Sequence, residues 1–541
     1  MRWGDYLTKT VLFVYIRGRV NLRENYMKKS LIAAWVALTL LATPAQAQQE
    51  KYLIRELQKM LNYLGYEAGE ADGISGSQTR SALDRAATST GTNFSGKTLK
   101  KINAELRKLV STARMTSGRP KVTDEFALSQ SKQHWFNRYL YPIDLDGDNL
   151  DELIIAGFES QGQKHSDISA SRIAIFAWRG FQLVEVTSDW LNEVENVFFG
   201  VGDIATGDFN GDGTVDIFLS AYTDSDKKVD AYVLYNVGGR FERQRIDRAG
   251  WQHGAAVGDL NADGISDVFA AGYHGSYALY LGTLDGLQKY KFSSQRYFGG
   301  SGAAFGKFLG TSEVLLLLTD NAGRNRSPRL DSNLYRVILD KKRKTAKLEL
   351  IAHLPHPEFE GREWDHFFSA SSRRSHEIRA RAIDLNGDRF EDLMIVSTGV
   401  YSKTRTGLHL SAIQLIESTS SGFENVTHKR VIGHNYIAGP PYSPVLRDLD
   451  GDGDMDILIS EQDSHGFADS TDVFLQDENG MFVSIGSDAL LSVMPASAHA
   501  DIATAMRGPN GKMYFVRTQT KRKLGLPTHS LVYAVMAFDK G

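Results

Sequence analysis

Five short stretches of this chain repeat one frame of oxygen-bearing side chains. Between Arg447 and Ser460, Asp448, Asp450, Asp452 and Asp456 hold positions 1, 3, 5 and 9 of a tight loop, with Gly451 and Gly453 at positions 4 and 6. Oxygen ligands at alternate positions suit a hard cation that takes six to eight oxygens, and the glycines permit the sharp turn that aims them inward. The expected ion is calcium. The frame recurs at Asp144, Asp146, Asp148, Glu152; at Asp208, Asn210, Asp212, Asp216; at Asp259, Asn261, Asp263, Asp267; and at Asp384, Asn386, Asp388, Asp392. Position 7, filled by Leu150, Thr214, Ile265, Phe390 and Asp454, offers a backbone carbonyl. About five ions are expected, and because the clustered carboxylates repel without a cation, binding should be coupled to folding, each ion clamping strand to strand.

The elements that position these loops are strands. An EF-hand needs a bidentate Glu at position 12 and flanking helices, whereas position 12 of the last loop is Ile459 and the acid falls at position 9. Each loop runs into a short apolar stretch such as Ile457–Ser460, bounded by turn residues. Loop starts are separated by 64, 51, 125 and 64 residues. The long interval holds a worn copy, Phe305–Leu318, which keeps its Gly and apolar strand without the acids; a second follows the last loop at Ala505–Val516. Seven units of roughly 60 residues, each with about four strands, predict a β-propeller. In the second unit the strands are expected at Ile204–Asp208, Asp216–Tyr222, Ala231–Tyr235 and Arg240–Ile246, with Gly238-Gly239 as the hairpin turn.

On these five D-x-[DN]-x-D-x-x-x-[DE] loops, residues 122–541 resemble the FG-GAP or VCBS repeat family, whose relatives include the integrin α-subunit propeller. The fold class expected is therefore an all-β seven-bladed β-propeller with calcium-binding loops, preceded by a small all-α three-helix domain. Val122–Leu128 has no unit of its own and the last unit shows three strands, so this early segment is expected to supply the last blade's outer strand, leaving no open edge.

Residues 1–47 read as an address, with Met27 as the expected start. Met27-Lys28-Lys29-Ser30 is a basic n-region, Leu31–Leu41 an apolar h-region too short to span a bilayer, and Ala45-Gln46-Ala47 a small-x-small cleavage site. The mature chain is expected to begin near Gln48, exported to the periplasm or cell envelope of a Gram-negative bacterium without membrane insertion. Of the 541 residues, none is Cys, which excludes disulfides and the thiol nucleophiles of L,D-transpeptidases and papain-like wall peptidases. The precursor's net charge of −3 lacks the basic excess of a nucleic-acid binder.

Residues 48–110 form the helical domain. Leu53, Leu57, Met60, Leu61 and Leu64 recur at helical spacing before Gly65; a turn-rich loop covers Glu67–Ser77, and further helices are expected from about Gln78 to Ala87 and Gly96 to Val110. Leu57, Gln58, Leu61, Leu64, Gly65, Tyr66, Gly69, Asp72, Gly73, Gly76, Thr79, Ala82 and Leu83 follow a motif similar to the peptidoglycan-binding-like domain, although Ala86-Ala87 stands where that family carries an aromatic-Gln pair. The resemblance implies peptidoglycan as partner, met between Tyr66 and Thr79 with Asp72. Residues 111–121 read as a linker.

With the ions structural, ligand recognition is expected on the opposite face, from segments entering each innermost strand. These hold Asp203, Trp251, His253, Ser301, His376, Tyr442 and His499, overhung by the insertion Pro355–Arg374. Integrin-like propellers use that face for ligands. No H-E-x-x-H, G-x-S-x-G or isolated carboxylate pair marks an enzyme, and no catalytic residue is expected. The resulting expectation is an envelope binding or adhesion protein, anchored to peptidoglycan and presenting a glycan- or protein-binding face. The alternatives are a scaffold for an envelope enzyme and a divergent polysaccharide- or wall-degrading enzyme.

Overall fold

The computed structural model describes residues 44–115, 126–129, 135–159, 170–222, 228–272, 277–293, 302–319, 332–359, 362–363, 379–401, 408–438, 444–460, 471–486, 503–523 and 526–536. The expected apolar h-region, Leu31–Leu41, lies outside these residues. Among the described residues no helix is long and apolar enough to cross a membrane.

Three helices come first: α1 (Pro44–Tyr63), α2 (Ser77–Thr90) and α3 (Leu99–Met115). Gly65 stops α1 as its place in the sequence predicts. With φ +80 it lets Tyr66 N–H reach Leu61 O at 2.9 Å and its own N–H reach Asn62 O at 2.9 Å, a Schellman closure that satisfies the orphan carbonyls. Leu57, Met60, Leu61, Ala82, Leu106 and Val110 form the small core, which continues into Ile432 and Val483 of the β body. The expected linker is corrected here. Residues 111–115 continue α3, because Ser111 and Arg114 are held by the β body: Ser111 Oγ donates to Ile485 O at 2.7 Å. Residues 116–121 lie outside the described residues.

The remainder is a propeller-like β body of antiparallel up-and-down runs. The second unit carries Val201–Gly207, Asp216–Ala221, Val229–Val237 and Arg240–Ala249, in that order across one sheet, with Gly238 and Gly239 at φ +62 and +84 in the predicted hairpin turn. The worn copies also fold as strand, turn and strand: Ala303–Gly306 pairs Leu315–Leu318, and Ala503–Arg507 pairs Met513–Lys523. First strands neighbour one another in succession, Val201–Gly207 beside Gln252–Gly258, then Ala303–Gly306, then Arg379–Ile383. Apolar side chains interleave between successive runs, as where Phe218 meets Tyr280 at 5.6 Å between ring centroids.

Seven separate four-stranded sheets are not what the pairing gives. Lys291↔Thr345 and Phe292↔Ala346 pair in parallel and fuse two outer strands, so Gln252–Gly258 through Thr345–His353 form one eight-stranded sheet. Short extra strands such as Val431–Ile432 and Tyr436–Ala438 extend others to five.

The closure expected from the sequence is present. Phe126–Ser129 pairs antiparallel with Leu526–Met536, Phe126 opposite Ala534 and Ser129 opposite Leu531, at the outer edge of the sheet begun by Ala503–Arg507. The two ends of the body meet a second time at Asp151, whose N–H donates to Arg507 O at 2.9 Å. Its Oδ2 accepts from Arg507 N and Arg447 Nη1, both at 2.5 Å. Ser266 N–H to Asp208 O (2.8 Å) and Glu391 N–H to Lys307 O (3.2 Å) repeat this backbone link between neighbouring runs.

Candidate functional site

All five acidic loops join a first strand to a second, and all five fold alike. The position 1 carboxylate organises each turn. Asp144, Asp208, Asp384 and Asp448 accept the N–H of position 4 at 2.6–2.7 Å through Oδ1. They accept the N–H of position 6 through Oδ2 at 2.8–3.1 Å. Asp259 accepts from Gly264 at position 6 but from Asp263 instead of position 4. The position 5 acid accepts the N–H of position 7 in every loop, at 2.7–3.0 Å. Backbone donors therefore aim the side-chain oxygens before any cation arrives.

Two backbone positions carry this turn, and both sit at positive φ throughout. Position 4 is Gly147, Gly211, Ala262, Gly387 and Gly451; position 6 is Asn149, Gly213, Gly264, Arg389 and Gly453. Ala262 at φ +56 is the exception at position 4, and an L side chain there costs roughly 1–2 kcal/mol. Ala262→Gly is expected to raise stability by about 1 kcal/mol, read as an upward shift of the urea midpoint. An unchanged or lower midpoint would show that the loop is unstrained.

The position 9 acid does a different job. Glu152, Asp216, Asp267, Asp392 and Asp456 are buried at the start of the second strand, and each accepts the N–H of position 2 at 2.7–3.0 Å. The four aspartates also accept an N–H from the third strand or just after it, from Asn236, Gly282, Ser418 and Gln476 at 2.7–2.8 Å. Burial pushes these carboxyls up: Asp216 and Asp392 to about 6, Glu152 and Asp267 to about 7, Asp456 to about 8. Backbone hydrogen bonds oppose the shift, while the neighbouring loop acids add to it.

The residues fit a hard divalent cation on three observations. Carboxylate oxygens of Asp144, Asp146 and Asp148 lie within 4.8 Å of one another, as do those of Asp448, Asp450 and Asp456. Asn261 Oδ1 at position 3 of the third loop is buried with no hydrogen-bond partner. At the last loop a guanidinium, from Arg114, already sits against Asp450 and Asp452. Glu152 is outside the first of these groups and serves as a backbone acceptor. The worn copies have no acids in this frame.

Of the expected ligand face, Ser301, His376, Tyr442 and His499 lie outside the described residues, as does most of the insertion. Asp203 and His253 are brought together but packed, 8% exposed each, so they are not displayed to solvent as the sequence suggested. The cause is cross-strand bonding. Asp203 accepts Ile204 N–H and Ala255 N–H at 3.0 and 2.9 Å, and the His253 ring meets Tyr222 at 4.5 Å. Burial pushes the Asp203 carboxyl up, against the pull of Arg379 and Arg381. Arg379, itself buried, donates to His253 O at 2.5 Å. The repeat frame gave no reason to choose it. Trp251 holds φ +62, rare for a bulky side chain.

In the helical domain the expected wall-contact residues divide. Thr79 is corrected to a structural role: buried, it accepts from Gln58 Nε2 at 3.1 Å and donates to Ala68 O at 3.3 Å. Gln58 also donates to Asp72 Oδ1 at 3.0 Å and accepts Gly73 N–H at 2.9 Å, pinning the 67–76 loop. The Gln58 amide, with Ile74 N–H, holds the Asp72 carboxyl below its usual range. Tyr66 is half-buried against the helical core.

The junction of helices and body is polar and buried. Glu56 pairs with Lys59 at 2.5 Å, and Lys59 Nζ donates to Val431 O at 2.5 Å and His428 O at 3.1 Å. Burial pushes the Glu56 carboxyl up, and Lys59 opposes it.

A propeller-like β body with repeated acidic loops and a helical domain docked on it is the class that these observations define. Within it, the chain carries FG-GAP-like repeats, matched over residues 144–219 and 208–270, and a putative peptidoglycan binding domain, matched over residues 51–97. Comparison with curated proteins yields no match. Similar solved structures include a Dos1 propeller at 10% identity and TM-score 0.35, covering 78% of this chain and 96% of that one. Rhamnogalacturonan lyase YesW is 11% identical at TM-score 0.33, covering 77% and 75%. The GH43_1 enzyme from Xanthomonas citri, complexed with xylotriose, is 13% identical at TM-score 0.32, covering 71% and 98%. At such scores neither an enzymatic nor a non-enzymatic reading of this chain follows from them.

Proposed function

We propose that this is a cell-wall-associated propeller protein of the bacterial envelope. In this reading α1–α3 bind peptidoglycan, and calcium-stapled loops hold a propeller whose central face takes a glycan or protein partner. The observation that carries the reading is the peptidoglycan-binding match over residues 51–97, on a domain whose core runs into the β body. A seven-bladed count is supported by the eight-stranded sheet, which divides into two four-stranded runs at its two-residue parallel contact. Calcium is supported by the orphan Asn261 oxygen and the converging carboxylates. Export is supported by the basic n-region, apolar h-region and small-x-small site of residues 27–47.

The test is co-sedimentation of the full chain with purified sacculi. The chain is expected in the pellet and released by soluble peptidoglycan fragments; retention in the supernatant overturns wall binding. Release of soluble sugar fragments from the sacculi would instead favour the degrading enzyme.

A further inference from the structure

One acidic loop differs from the other four in what covers it. Arg114, in the last turn of α3, places Nη2 at 3.0 Å from Asp450 Oδ2 and 3.4 Å from Asp452 Oδ2, and donates to Gln476 O at 2.9 Å. The Arg114 and Asp450 side chains are only 14% and 8% exposed. Among the described residues, no ion pair falls on position 3 or 5 of the other four loops.

The oxygens involved decide the consequence. Asp450 Oδ1 accepts Asp452 N–H, as position 3 does in three of the sister loops, and Asp452 Oδ1 accepts Asp454 N–H, as position 5 does in all of them. Oδ2 is the oxygen of each acid that these backbone bonds leave untouched. These are the two atoms on which Arg114 rests.

We infer that the loop 448–456 takes either a divalent cation or the Arg114 guanidinium, so that a cation bound at this one loop releases the end of α3 from the β body. The inference rests on the calcium reading given above and adds a partner for one site. A guanidinium and a divalent ion cannot share both Oδ2 atoms without placing like charges in contact, which in a partly desolvated site is strongly unfavourable. The coupling is reciprocal: docking of α3 weakens the cation here, and the cation weakens docking. Ser111 and the apolar contact through Ile432 and Val483 keep the helical domain attached, so the expected response is a loosened α3 end with its neighbours still packed. The other four loops keep their ions as staples, and this one reports ion level to the wall-binding domain.

The test is calorimetric titration of the chelator-treated full chain with calcium, paired with hydrogen exchange of α3. The native chain should show four tight sites and one weaker, and saturating calcium should speed exchange at residues 110–115. Arg114→Gln should strengthen the weak site about tenfold, within the usual range of allosteric coupling, and abolish the calcium effect on α3. Ser111→Ala, which loosens docking without touching the loop, should speed α3 exchange and leave α3 responsive to calcium. Unchanged affinities in Arg114→Gln, with ions still bound, overturn the competition alone. No calcium binding in either protein overturns the calcium reading and the competition together.

Discussion

If the five loops hold calcium as proposed, chelation is expected to lower the melting temperature more than any single substitution. A ligand that binds only the folded state stabilises it by about 2.7 kcal/mol per site at a hundredfold excess over Kd, and the frame occurs five times. The size of the loss depends on pH. In the ion-free protein Glu152, Asp216, Asp267, Asp392 and Asp456 hold protons more tightly folded than unfolded, with values of about 6 to about 8. Their contribution is therefore fully present below the ordinary carboxylate range and lost as pH rises through those values. Scanning calorimetry with chelator should show stability falling between about pH 4 and about pH 8, and calcium should recover it at the upper end. A melting temperature indifferent to calcium near pH 8 would sink the assignment of these loops.

Lys59→Met should be the most damaging change in the helical domain. Lys59 is 9% and Glu56 1% exposed, and removing the ammonium strands a carboxylate in the junction together with the carbonyls of His428 and Val431. Breaking a buried pair from one side costs about 3–5 kcal/mol. The double variant Glu56→Leu, Lys59→Met should recover most of that loss, because no buried charge remains. Hydrogen exchange at residues 53–63 and 428–432 is the readout. A single variant within 1 kcal/mol of the native chain would mean that water reaches Glu56 and the junction is looser than its geometry implies.

Much of the fold was legible because its cause is local and repeated. Alternating acids and turn glycines specify the loop whatever surrounds it, and the apolar run after position 9 specifies a strand. Even the closing partner of the last sheet follows from counting strands. What escaped is tertiary. Arg114 sits in a stretch whose Ser, Thr, Gly and Pro content reads as linker, and only the surface under it makes it helical. The second role of the position 9 acids depends on N–H groups such as Asn236 and Gln476, about 20 residues away and invisible to a motif. Thr79 looked like a surface residue because the family frame marks it without saying which way it points. Asp203 and His253 were expected on a ligand face, but nothing in their neighbours foretold that Ala255, Tyr222 and Arg379 would enclose them.

The pairing of Phe126–Ser129 with Leu526–Met536 has a consequence for the life history of the chain. The strand that seals the body is made early and its partner very late, so translation must deliver nearly everything between before the seam can form. The helical domain has its own core and contains its local contacts, whereas the last sheet waits with an open edge that other chains can pair with. A nascent chain stalled before residue 526 is left with that edge unpaired, and quality control would have to recognise it.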